Sequence, residues 1–337
     1  MRSELSNLRP ILFAVLMIAF SACQSSSSPT PSPGPKAPPK SWLVGANGQM
    51  LSINAQGEVL AHNSVTSMNL SGLTCVNKDT AWAVGDQGLI LYTTDGGQQW
   101  NTQTTPTSEN LRSVSFASAT HGIVVGDHNT ILVTDDAGGH WQIANTPVSG
   151  HDKTLWSVKL AVQAGVSFAV GDNGLALQSK DGGRNWNFLN TLQNASTLRS
   201  VDASADGTKA IAVGDGGMAF LLNTQGGQSL EWQTVQTQTL YTVHFLSDEN
   251  TVVAAGADGV ALTGTLRLQD VHLLTTGTKE DLLTLMVNEG ASDAPNKITL
   301  AGRKGVIVFF PSITDKSILI SSPSNLDIFS IDDLTGG

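Results

Sequence analysis

The sequence predicts an all-β chain: a seven-bladed β-propeller of four-stranded antiparallel blades, closed by a C-terminal strand that joins the N-terminal blade. Two observations carry this expectation. Seven tight turns led by glycine recur at Gly45, Gly85, Gly126, Gly171, Gly214, Gly256 and Gly302; six read G-x-x-G, and the third reads Gly126-Asp127-His128-Asn129. Their steps of 40 to 46 residues, with four short apolar runs per copy, match the period of a propeller blade.

Residues 111–141 show one unit most clearly. Residues 111–116 (LRSVSF) alternate apolar and polar, the pattern of a half-buried strand. Residues 123–125 are a β-branched run suited to burial on both faces, and the turn at Gly126 leads into a third strand over residues 130–134. Thr134-x-Asp136-x-Gly138-x-x-Trp141 then reverses the chain into a fourth strand. Glycine supplies positive φ there, and the aspartate can bind backbone amides a few residues on. The same turn recurs as Thr93-x-Asp95-x-Gly97-x-x-Trp100 and Ser179-x-Asp181-x-Gly183-x-x-Trp186, with a stretched copy from Thr224 to Trp232.

These turns resemble the Asp-box of bacterial-neuraminidase-type repeats. That resemblance implies a structural role for Asp95, Asp136 and Asp181 rather than calcium ligation. The whole unit, L-x-S-V-x-F, A-V-G-D-x-G and T-x-D-G-G-x-x-W, is similar to the photosystem II assembly and stability factor family. It stands here as Leu111-Arg112-Ser113-Val114, Ala83-Val84-Gly85-Asp86-Gln87-Gly88 and Thr94-Asp95-Gly96-Gly97-Gln98-Gln99-Trp100. The likeness spans roughly residues 42–331 and is strongest over 73–232. It implies a non-enzymatic, often lipid-anchored propeller that holds a segment of a membrane protein during assembly or stabilisation. A photosynthetic host does not follow from it.

The ends place the ring in a compartment. Residues 1–22 read as a signal peptide: Arg2 and Arg9 precede an apolar run, residues 11–20, too short for a mature membrane span. The run ends in Phe20-Ser21-Ala22-Cys23, which resembles a lipobox and makes Cys23 the lipidation site; the alternative is ordinary cleavage after Ala22. Residues 23–40 then form a Ser/Pro-rich tether that buries no core, leaving residues 41–337 for the propeller. The expectation is a lipid-anchored extracytoplasmic protein of the cell envelope, on the outer membrane where there is one. Cys75, the only other cysteine, falls in a strand pattern and reads as a core residue, so no internal disulfide is expected. Without residues 1–22 the chain keeps 16 basic against 27 acidic side chains, which argues against nucleic acid as a partner. A monomer without cofactor or metal is expected.

The final strand closes the ring in this reading, with Leu326, Phe329 and Ile331 repeating the spacing of Leu111, Val114 and Phe116. The position after the leading leucine of each first strand lies at the channel mouth, read round the ring as Thr74, Arg112, Trp156, Arg199, Tyr241, Leu283 and Asp327. Arg112, Trp156, Arg199 and Tyr241 are the candidate partner-binding residues, because Arg, Trp and Tyr anchor binding hot spots. A second reading stands beside it: the arginines pair with the turn aspartates Asp86, Asp127, Asp172 and Asp215, and the aromatics plug the channel.

Enzyme function is not expected. A neuraminidase needs three arginines, a tyrosine nucleophile and an acidic partner. Here two arginines share a register, and Tyr241 has only Asp327 as an acidic candidate on that register. No phosphate loop, nucleophile elbow or metal-ligand spacing occurs. The alternative function is a non-catalytic, sialidase-like carbohydrate-binding propeller of the envelope.

Overall fold

The computed structural model describes residues 39–333, except 55, 149–152, 162, 164, 190–195, 226–229, 232–236, 267–269 and 289–295. The signal peptide, Cys23, all but the last two residues of the tether, and Trp232 lie outside the described residues. The rest forms seven antiparallel sheets of four strands each. Six sheets take four consecutive strands. The first blade is composite: β28 (Ile328–Asp333) lies innermost, followed by β1 (Pro39–Gly45), β2 (Met50–Asn54) and β3 (Val59–His62).

The glycine-led turns explain why each second strand doubles back. Asn47, Gln87, His128, Asn173, Gly216, Asp258 and Lys304 all have positive φ, between 53° and 70°, and the next residue does too: Gly in six blades, Asn129 (φ 61°) in the third. Two left-handed residues in succession make the hairpin turn whose twist suits paired strands. The leading glycine serves a different purpose, since its backbone is extended. A Cβ on Gly85 would lie 2.0 Å from the Asn69 carbonyl, which accepts the Asp86 N–H at 3.1 Å. That contact holds the turn against the start of the blade's own first strand.

The Asp-box turns repeat one hydrogen-bond set. Thr93 Oγ1 donates to Asp95 Oδ1 at 2.9 Å and accepts the Gly97 N–H at 3.0 Å, while Asp95 accepts the Gln99 N–H at 3.0 Å. Thr134, Asp136, Gly138 and His140 repeat it, as do Ser179, Asp181, Gly183 and Asn185. These bonds favour the ionised aspartates, and the Asp136 carboxyl, held first by the His140 side chain, is lowered to about 2.

The core is divided by the ring. Seven clusters of buried apolar side chains each span one seam between neighbouring blades. In each seam two positions determine how well the gap away from the mouth is filled: the third residue before the leading glycine, and the last inward residue of the next blade's first strand. Around the ring these are Trp42 with Cys75, Trp82 with Phe116, Ile123 with Leu160, Phe168 with Ala203, Ile211 with Phe245, and Val253 with Val287. Trp82 stacks on Phe116 with ring centroids 3.7 Å apart. Cys75 is small because Trp42 is large, and burial pushes its thiol pKa well up.

Two sequence expectations need a register correction. Gly45 pairs with Ile328, as Gly126 pairs with Leu111, so Ile328, Ile331 and Asp333 stand where Leu111, Val114 and Phe116 stand. Closure by the C-terminal strand holds, but shifted by two residues from the Leu326 frame; Leu326 is 37% exposed. In the second blade Gly85 pairs with Leu70, which makes Ser71 the mouth residue. Thr74 lies three positions deeper, level with Ser115. Pairing with the glycine sets the register, and an extra apolar residue (Leu73, Leu326) misleads a pattern match.

Candidate functional site: the mouth of the channel

With the register corrected, the residues at the mouth are Ser71, Arg112, Trp156, Arg199, Tyr241, Leu283 and Phe329. They line a cavity of about 460 Å³, joined by Asp86 and Arg303 at the rim and by Ser113, Ser157, Ser200, Thr242 and Ser330 below. All four candidate binding residues therefore meet at one cavity. Thr74 does not line it, and Asp327 precedes the leading residue of its strand and pairs with Arg303 instead.

The geometry gives the candidates a structural duty as well. Arg112 donates from Nε and Nη2 to Asp127 at 2.8 and 2.6 Å, and Arg199 does the same to Asp215 at 2.8 and 3.0 Å. Trp156 Nε1 donates to Asp172 at 2.8 Å. In the third, fourth and fifth blades the residue after the leading leucine thus ties down the turn aspartate of its own blade. Ser71 is too short for this, and Asp86 accepts from Asn69 at 2.9 Å. Burial works against the Asp127 carboxylate, yet hydrogen bonds from Arg112 and Asn110 hold it below the usual range.

That duty leaves part of each arginine free. The guanidinium groups lie over the Trp156 ring, with Cζ 5.2 Å (Arg112) and 4.8 Å (Arg199) from its centroid. Their side chains stay 24% and 27% exposed, and among the described residues neither Nη1 has a protein partner. Two rigid donors on an aromatic plate face the channel. A bidentate pair with aspartate fixes the guanidinium plane, so little further entropy is lost when a ligand accepts from Nη1.

Arg303 was not foreseen. It stands in the turn of the seventh blade where blades two to five carry aspartate, so no strand pattern points to it. It donates to Asp281 at 3.1 Å and to Asp327 at 2.9 Å. The aspartates at this face outnumber its three arginines, so an acidic tail gains no net attraction from the mouth; hydrogen bonding and aromatic contact dominate. Tyr241 is half-buried, and burial and then Asp281 raise its pKa. A phenol held protonated is the opposite of an activated nucleophile.

The lower channel is occupied by charge. Lys159 Nζ lies 2.7 Å and His244 Nδ1 2.9 Å from the two oxygens of Asp202. Burial opposes the Asp202 charge, but Lys159 and His244 bring its pKa far below the usual carboxylate range. Asp202 and Asp332 also accept N–H groups of the next blade, from Phe245 at 2.8 Å and Cys75 at 2.7 Å.

Solved structures of other propellers share the fold. One, described as YCF48 bound to D1 peptide, is 19% identical and aligns over 86% of this chain and 96% of its own, with a TM-score of 0.61. YCF48 from Cyanidioschyzon merolae is 17% identical over 77% of this chain and 87% of its own (TM-score 0.59). The WD40 β-propeller domain of Doa1 is 15% identical over 79% and 86% (TM-score 0.62). No curated protein matches the sequence. The chain is a seven-bladed β-propeller whose residues 97–196, from the first Asp-box turn through Arg112 and Trp156, match the family model described as Photosynthesis system II assembly factor YCF48.

Proposed function

We propose that this propeller is a non-enzymatic scaffold that holds a polypeptide segment of a membrane protein or envelope complex at its Arg/aromatic mouth during assembly or stabilisation. A lipid on Cys23 tethers it to the membrane on the extracytoplasmic side, at the outer membrane where the cell has one. The observation that carries the reading is the Arg112–Trp156–Arg199 stack, with each arginine held by an aspartate and each Nη1 open to the cavity. Backbone carbonyls of an extended segment suit such donors, and Tyr241, Leu283 and Phe329 offer apolar contact. The family match over residues 97–196, and the description of a fold neighbour as YCF48 bound to D1 peptide, support a peptide as the occupant.

The test is chemical cross-linking and capture from the organism's own envelope, with the wild type beside Arg112→Gln/Arg199→Gln. Glutamine keeps a donor for each aspartate, and a thermal melt checks that the variant folds. A membrane protein captured by the wild type and lost in the variant supports the reading. Equal capture moves the site elsewhere, and retention on a glycan array without protein capture replaces the scaffold with a carbohydrate binder.

A further inference from the structure

Six seams of the ring are sealed by apolar pairs; the seam between the seventh and first blades is not. Its two sealing positions hold Thr299 and Asp333. A cavity of about 200 Å³ occupies this place, walled by Ile53, Met286, Ile307, Phe309 and Ile320, on the face opposite the mouth. The turn above it differs as well. A Cβ on Gly97, Gly138 or Gly183 would strike Trp42, Gln103 or Ile123 of the preceding blade at 2.1 to 2.3 Å, whereas among the described residues one on Gly57 meets nothing within 4 Å.

At three of the other seams an inward side chain accepts the last inward N–H of the next blade: Ser115 from Leu160, Asp202 from Phe245, Asp332 from Cys75. Met286 holds that position here, and the Asp333 N–H bonds to its own neighbour, Asp332 Oδ1, at 2.8 Å. A polar contact, Asn288 with Asp333, crosses the seam at this end. The mouth end, by contrast, is clamped. Arg303 of the seventh blade bonds to Asp327, which leads into β28, and Asp327 also accepts the Lys304 N–H at 3.0 Å.

We propose that this seam is the working joint of the ring, opening from the face opposite the mouth while the Arg303–Asp327 clamp holds the other end. This seam keeps its own cluster of buried apolar side chains, but its two sealing positions add none to it, and the end of a seam with less apolar burial is where a cooperative structure opens locally. Because Leu283 and Phe329 stand on either side of the joint, a ligand touching both adds to the clamp that holds the mouth end.

The test is the thiol-labelling rate of single cysteines in the full chain, in a Cys23→Ser/Cys75→Ser background. Ile307→Cys is compared with Ile131→Cys, the same position at the sealed seam between the third and fourth blades, both side chains being at most 1% exposed. Thr299→Cys and Ile123→Cys form a second matched pair, with almost no change of volume at Thr299. The joint predicts labelling at least about ten-fold faster at residues 307 and 299 than at their counterparts. Adding Thr299→Val to Ile307→Cys should slow its labelling. Equal rates in both pairs, or a rate at residue 307 indifferent to Thr299→Val, would overturn the proposal.

Discussion

Trp82→Ala tests whether the ring is held together seam by seam. Trp82 is fully buried and lies between Phe116, 3.7 Å away across the seam, and Tyr92, 4.9 Å away in its own blade. Truncating a buried tryptophan costs about 3–5 kcal/mol, and loss of a stacked ring pair places this site at the upper end. Its N–H donates to the Ala137 carbonyl at 3.3 Å, but Gln103 Nε2 also donates there at 2.7 Å, so the deletion strands no acceptor. The expected loss is therefore about 4–5 kcal/mol, a large part of a typical total of about 5–15 kcal/mol. Thr299→Ala, at the equivalent position of the open seam, should cost about 1 kcal/mol, because it removes only one methyl and a hydroxyl beside an existing cavity. Urea unfolding followed by tryptophan fluorescence and far-UV circular dichroism measures both. With a slope near 3 kcal/mol per molar, the midpoint of Trp82→Ala should fall by about 1.5 M. A loss for Trp82→Ala no larger than that for Thr299→Ala would refute the division of the core into seams of unequal strength.

Three further outcomes follow from particular contacts. Asp332 is raised to about 6, chiefly by burial. A carboxyl raised in the folded state contributes stability that is fully present below the unfolded value near 3.8 and is lost as pH rises through 6. Asp332→Asn should therefore gain on the wild type by up to about 3 kcal/mol between pH 4 and pH 7 in denaturation curves, and a constant difference would contradict the assignment. Deleting residues 325–337 removes β28, with its five register pairs to β1, and should abolish cooperative melting of the whole ring; a melt like that of the full chain would rule out closure. Gly85→Ala should lower the melting midpoint clearly, because its Cβ would sit 2.0 Å from the Asn69 carbonyl, whereas Gly57→Ala meets no atom of the described residues within 4 Å and is strained by its positive φ of 81°.

The blade count and the closing strand were legible because glycine leaves no substitute where two backbones meet, so the turns recur visibly in the sequence. Arg112, Trp156, Arg199 and Tyr241 were legible for a related reason: each follows a leucine that pairs with a leading glycine. Thr74 and Asp327 were misplaced, since Leu73 and Leu326 imitate that leucine in spacing but lack its pairing partner. Arg303 was hidden in a turn that elsewhere carries aspartate. The open seam was invisible for a different reason, because Thr299 and Asp333 are ordinary strand residues until the ring sets them against positions filled by Trp82 and Phe116 in another seam. Volume complementarity between residues roughly 35 positions apart leaves no periodic trace.

The central claim is that the mouth holds a polypeptide, and site-specific photo-cross-linking tests it most directly. A photoreactive phenylalanine placed at Leu283, inside the mouth, is compared in cells with one at Phe188, which is 54% exposed on a fourth strand at the outer edge. The scaffold reading predicts a discrete protease-sensitive adduct from residue 283 that is absent at residue 188 and lost when Arg112→Gln/Arg199→Gln is added. Adducts from the outer edge alone, or a mouth adduct indifferent to the two arginines, would contradict it.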